Sequence, residues 1–71
     1  MIDVTIREEY IKLDSFLKLA NLVSSGGEAK LRIAGGEVLV NGVTCLQRGK
    51  KLRPGDTVSM DGTEARVAEK I

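Results

Sequence analysis

A chain of 71 residues with a formal net charge of +1 has room for one domain and little more. Its composition, 42% hydrophobic and 30% charged, is that of a folded domain rather than a polar tail. With no histidine and a single cysteine, Cys45, it lacks the imidazole base of nucleophilic catalysis and the ligand set of a zinc site, so no catalytic residue, metal or cofactor is expected.

Ile2, Val4 and Ile6 alternate with Asp3, Thr5 and Arg7, the period of a strand. Met1-Ile2-Asp3-Val4 has neither the basic nor the apolar segment of a signal peptide. Leu13, Phe16, Leu17 and Ala20 recur at i, i+3, i+4 and i+7, one face of a helix, with Asp14 near its start as the expected cap. Phe16 lies on that stripe and belongs to the core, while Lys18 and Asn21 fall towards solvent. Residues 24–27 break the chain, and Ser25-x-x-Glu28 fits a capping box opening a second helix. That helix runs to Ala34 and stops at Gly35-Gly36.

Residues 37–40 read as a strand, Asn41-Gly42 as a two-residue hairpin turn and 43–46 as the returning strand. Arg53-Pro54-Gly55-Asp56 is a further turn, and 57–60, Asp61-Gly62 and 63–67 form a second hairpin. No apolar run approaches the roughly 20 residues of a membrane span. The lone cysteine rules out an internal disulfide and suits a reducing cytoplasm.

Charge is segregated along this framework. Arg48, Lys50, Lys51 and Arg53 crowd one short segment with no acid, whereas Asp3, Glu8, Glu9, Asp61, Glu64 and Glu69 gather towards the two ends. A basic patch on a rigid platform suits a phosphate backbone, although a solvated charge run has the same composition. Tyr10 and Phe16 are the only aromatics, so a nucleic acid would be read by charge and shape rather than by stacking. Double-stranded RNA, whose deep major groove hides the base edges, fits that mode.

The glycines fail the phosphate-loop and dinucleotide patterns in spacing and context. Gly26-Gly27 has two readings. It is a tight interhelical turn that needs small residues, or an opening through which an anion reaches the free N–H groups of the helix start. Lys12 is either a solubilising residue or a cation beside the helix. Lys30 and Arg32 are two apart and point in different directions, with Lys30 beside the glycine turn.

Four blocks occur in order: Lys12-Leu13-Asp14-Ser15-Phe16-Leu17, Ser25-Gly26-Gly27-Glu28-Ala29-Lys30, Gly36-Glu37-Val38-Leu39-Val40-Asn41-Gly42, and Lys51-Leu52-Arg53-Pro54-Gly55-Asp56-Thr57-Val58. Together they resemble the RNA-binding domain named after ribosomal small-subunit protein four, the S-four domain or αL motif. The match runs over about residues 12–60. The Ser-Gly-Gly-Glu-Ala-Lys string is similar to that of small stand-alone bacterial members.

The resemblance implies an α+β fold, two short helices packed on a small, bent, mostly antiparallel sheet, as a single domain over residues 1–71. It implies non-catalytic binding of structured RNA, ribosomal RNA in particular, around ribosome assembly or translation, by a cytoplasmic monomer with ribosomal or assembly proteins as further partners. The expected RNA-binding residues are Lys12, Ser25, Gly26, Gly27, Lys30, Arg48, Lys50, Lys51 and Arg53, on a single face beside the second helix. Gly26 stands where many members carry arginine, and Arg32 where many are apolar.

A different class of function is an adaptor whose basic patch meets an acidic protein. A fragment of an RNA-modifying enzyme would need a catalytic constellation and a second domain. A sulfur-carrier-like protein would need a C-terminal diglycine, whereas this chain ends Glu69-Lys70-Ile71.

Overall fold

A computed structural model describes residues 1–69; Lys70 and Ile71, on which the reading against a terminal diglycine rests, lie outside them. In chain order the elements are β1 (Ile2–Ile6), β2 (Ile11–Lys12), α1 (Leu13–Leu19), α2 (Gly26–Ala34), β3 (Leu39–Val40), β4 (Val43–Thr44), β5 (Lys51–Leu52), β6 (Thr57–Met60) and β7 (Thr63–Glu69). Five strands form one sheet in the order β1-β7-β6-β3-β4, and β2 pairs with β5 in a separate ribbon. Among the described residues only β1–β7 is parallel; the other pairings are antiparallel. This is the α+β arrangement that the sequence led us to expect.

The helical stripe behaves as its spacing requires. Leu13, Phe16 and Leu17 of α1 are fully buried, and α2 adds Ala29 and Ile33. Val38, just before β3, and Leu52, Val58, Ala65 and Val67 of the strands close the core. In β1 the alternation is diluted at a sheet edge, so that Ile6 is buried while Ile2 stays exposed. Both expected hairpin turns form with paired left-handed residues, Asn41-Gly42 at φ 52° and 82° and Asp61-Gly62 at φ 54° and 79°.

Three expectations need correction. Asp14 does not cap α1: the cap position is Lys12, which makes no side-chain cap bond, and the Asp14 carboxylate accepts the Ser15 N–H at 2.7 Å. The free N–H groups of Leu13 and Asp14 donate instead to the carbonyls of Lys50 and Arg48, at 2.9 and 3.2 Å. The basic segment is therefore pinned by its own backbone to the start of α1. The strands around Asn41-Gly42 are shorter than 37–40 and 43–46, because ladder pairing ends at Leu39 and Thr44. Finally, the β2–β5 ribbon had no sequence forerunner.

Candidate nucleic-acid interface

Two groups of cations stand at opposite ends of α1. At its start, the β2–β5 ladder sets Lys12 directly across from Lys51. Neighbouring residues of a strand point to opposite faces, and Ile11 and Leu52 take the inner one, which leaves both lysines exposed. Like charges directly opposite on a ladder destabilise it by roughly 0.2–1 kcal/mol. Lys51 gains one compensation, since its ammonium lies 4.8 Å from the centre of the Tyr10 ring. Lys50 and Arg48, both exposed, follow on the pinned loop.

The second group surrounds the start of α2. Ser25 is the cap residue: its Oγ accepts the Glu28 N–H at 3.1 Å. The reciprocal bond differs from the expected box by one residue, because Glu28 accepts the N–H and hydroxyl of Ser24, at 2.7 and 3.0 Å, rather than the N–H of Ser25. These bonds from Ser24 hold the Glu28 carboxyl below its ordinary value of 4.5, with Arg32 adding a smaller electrostatic pull.

A carboxyl lowered on folding contributes stability that is present above the ordinary carboxylate range and lost as pH falls through the lowered value. Glu28→Gln should thus melt below the parent near neutral pH, with the gap closing as pH falls below about 4.5. Ser25→Ala should cost about 1 kcal/mol at every pH. Thermal melts of both variants across pH check this, and a pH-independent gap for Glu28→Gln would contradict it.

Among the described residues no acceptor meets the N–H groups of Gly26 and Gly27. Neither glycine has a positive φ. A Cβ at Gly26 would meet only the Lys18 ammonium, at 4.0 Å, and one at Gly27 only the Ser25 Oγ, at 3.8 Å, both ordinary contacts. Packing here leaves room for a methyl group, so the turn does not demand glycine itself. Lys18, read from the sequence only as a solvent-facing residue, instead lies over the opening of α2. Lys30 is one turn on from Gly26 and shares its side of the helix. α1 has seven residues, so about 10 Å of helix separates the two groups. Lys50 and Lys51 belong to the group at the start of α1, and Lys18 and Lys30 to the group at the opening of α2.

Arg53 shares the Tyr10 ring with Lys51 and so adjoins the first group. Its guanidinium is 5.9 Å from the Tyr10 ring centre, and it lines an open groove of about 380 Å³ with Arg7, Glu8, Glu9, Pro54 and Glu69. The acids of the chain ends, distant in sequence, come to its side. Arg32 is engaged elsewhere as well. It pairs with Asp61, with Glu37 at 2.8 Å and with Glu28 at 3.7 Å. The Asp61 hydrogen bond is the main reason its pKa is raised. Arg66 pairs with Asp3 at 3.1 Å. Among the described residues, Arg7, Lys12, Lys18, Lys30, Arg48, Lys50, Lys51 and Arg53 have no carboxylate at ion-pair distance. The arrangement offers charge and free amide donors to an anion and brings together no nucleophile with a base.

A family model described as the S4 domain matches residues 4–68. RlbA of Bacillus subtilis, named a probable ribosome maturation protein, is 46% identical over 59 residues, covering 83% of each chain. YbcJ of Escherichia coli, whose solution structure is described as revealing an αL motif involved in RNA binding, superposes with a TM-score of 0.74 at 32% identity, covering 96% of this chain and 87% of YbcJ. Heat shock protein 15 of Vibrio cholerae, whose solved structure is trimeric, shares the fold with a TM-score of 0.68 at 24% identity, over 79% of this chain and 58% of its own.

Proposed function

The chain belongs to the S4 domain family, and from that premise we propose that it is a non-enzymatic binder of structured RNA that holds phosphates along α1. The observation that carries this reading is the Lys12–Lys51 pair. Two lysines face each other across a ladder with no carboxylate partner among the described residues, a repulsion that a bound phosphate would turn into attraction. Lys50 and Arg48 extend this end of the face. Ser25, Gly26, Gly27 and Lys30, joined by Lys18, form the other. Arg53 takes a place at its margin, beside the acids of the chain ends.

Ribosomal RNA is the proposed target, in ribosome maturation within the cytoplasm, and the name of the Bacillus subtilis relative supports that choice. The whole chain, 1–71, acts as one monomeric domain, with ribosomal or assembly proteins as neighbours on the particle.

Contact with four or five phosphates gives a log–log salt slope of about −3 to −4.5. Titration of a paired RNA hairpin against salt, with an acidic protein of matched charge as competitor, tests the reading. A slope near zero, or preference for the acidic protein, would replace RNA binding with the adaptor role.

A further inference from the structure

Beside the cationic face lies a groove of a different character. It is an open hollow of about 390 Å³ along β4, an edge strand of the sheet. Val43, Cys45 and Leu46 give it an apolar lining, Gln47 adds an amide, and Lys50 is its one charged residue. Val43 and Leu46 stand 70% and 63% exposed. Its backbone is already engaged, with the Cys45 N–H donating to Val38 O at 3.0 Å and the Lys50 N–H to Gln47 O at 3.3 Å. The Gln47 side-chain amide makes no hydrogen bond within the described residues. An occupant of this groove would therefore meet an apolar surface, one free amide and one ammonium.

We propose that this groove receives an unpaired nucleobase of the bound RNA, with Lys50 on the phosphate beside it; the proposal rests on the RNA-binding reading above. A nucleotide combines a flat, weakly hydrated body, an edge of donors and acceptors for Gln47, and an adjacent anion. Proteins that read RNA beyond its shape do so at bases splayed from loops and bulges. With Phe16 in the core and two cations over Tyr10, aliphatic side chains are the surface left to receive a base.

The charge pattern favours RNA over other occupants. Lys50, which lines the groove, is held by its carbonyl to the start of α1 and directly precedes Lys51, so a polyanion seated there is one residue from the Lys12–Lys51 ladder. A second copy of the chain would bring its own basic loop against this one.

Cys45 is the only cysteine and lies partly exposed in the groove, so its alkylation reports occupancy. The probes are a hairpin of about 16 base pairs, fully paired, and the same hairpin carrying a short uridine bulge. The bulged hairpin should slow alkylation of Cys45 about tenfold more than the paired one. The double variant Val43→Ser, Leu46→Ser should bind the bulged hairpin about tenfold more weakly, with paired-hairpin affinity and its salt slope unchanged.

Equal protection by the two hairpins, or none, would overturn the proposal while leaving duplex binding intact. So would protection that grows with protein concentration in the absence of RNA, the sign of a second copy. Equal protection by an acidic peptide would assign the groove to a protein. Failure to bind either hairpin would sink the RNA reading itself, and this proposal with it.

Discussion

Replacing both Lys50 and Lys51 with alanine is expected to weaken binding of a paired RNA hairpin roughly 10- to 100-fold and to flatten its salt slope by about 1.5 to 2. Each lysine that neutralises a phosphate releases counterions, so the slope counts contacts that a bare affinity does not. The folded state should barely notice the change. What the start of α1 requires from this loop is the carbonyls of Lys50 and Arg48, and alanine keeps the backbone. Lys51 also gives up its place over Tyr10, worth about 0.5–1 kcal/mol at an exposed site, which shifts the melting temperature by a few degrees. Arg66→Ala is the control. It removes the same type of charge, but one already paired with Asp3 on the parallel β1–β7 edge, so slope and affinity should hold. A double variant with an unchanged slope would discard the loop as a phosphate contact, and an equal loss in Arg66→Ala would reduce the effect to net charge.

What could be read from the sequence depended on how local its cause was. The stripe of Leu13, Phe16 and Leu17, the Ser25 cap, the Gly36 stop and the two hairpin turns are each decided within a few residues, and each is found. The cap of α1 depends on carbonyls more than thirty residues away, so Asp14 was the natural local candidate and the wrong one. Two-residue strands such as β2 and β5 carry no period to detect; they exist because Leu52 enters the core and brings Lys51 opposite Lys12.

The site was legible as composition but not as geometry. The acid-free segment 48–53 could be counted, but Arg53 comes to share a groove with Glu8, Glu9 and Glu69 only once the chain ends fold back beside it. Lys18 was missed because its spacing says only that it leaves the α1 stripe. Its position over Gly26 depends on how α2 packs against α1. Arg32 shows the converse: a cation in the right segment whose head is held by Asp61, Glu37 and Glu28 and so is not free for a phosphate.

The sharpest separation of folding from function lies in the glycine pair. Glycine in a helix costs up to about 1 kcal/mol relative to alanine, and nothing in the folded chain requires it at these two positions. Both have ordinary φ, and the methyl groups of alanine would find only ordinary contacts. Gly26→Ala with Gly27→Ala should therefore stabilise the protein by about 1–2 kcal/mol, partly by restricting the unfolded chain, and raise its melting temperature by several degrees. The same methyl groups would stand beside the free N–H groups of the α2 opening, between Lys18 and Lys30. RNA affinity should then fall about tenfold, a loss of roughly 1.4 kcal/mol, with the cations and the cap bonds left in place. A more stable protein that binds less RNA is an outcome that neither a folding role nor an inert turn produces. If the variant melts lower, the glycines serve the fold after all. If it melts higher and binds as before, no anion approaches through this opening, and the face along α1 ends at its first group of lysines.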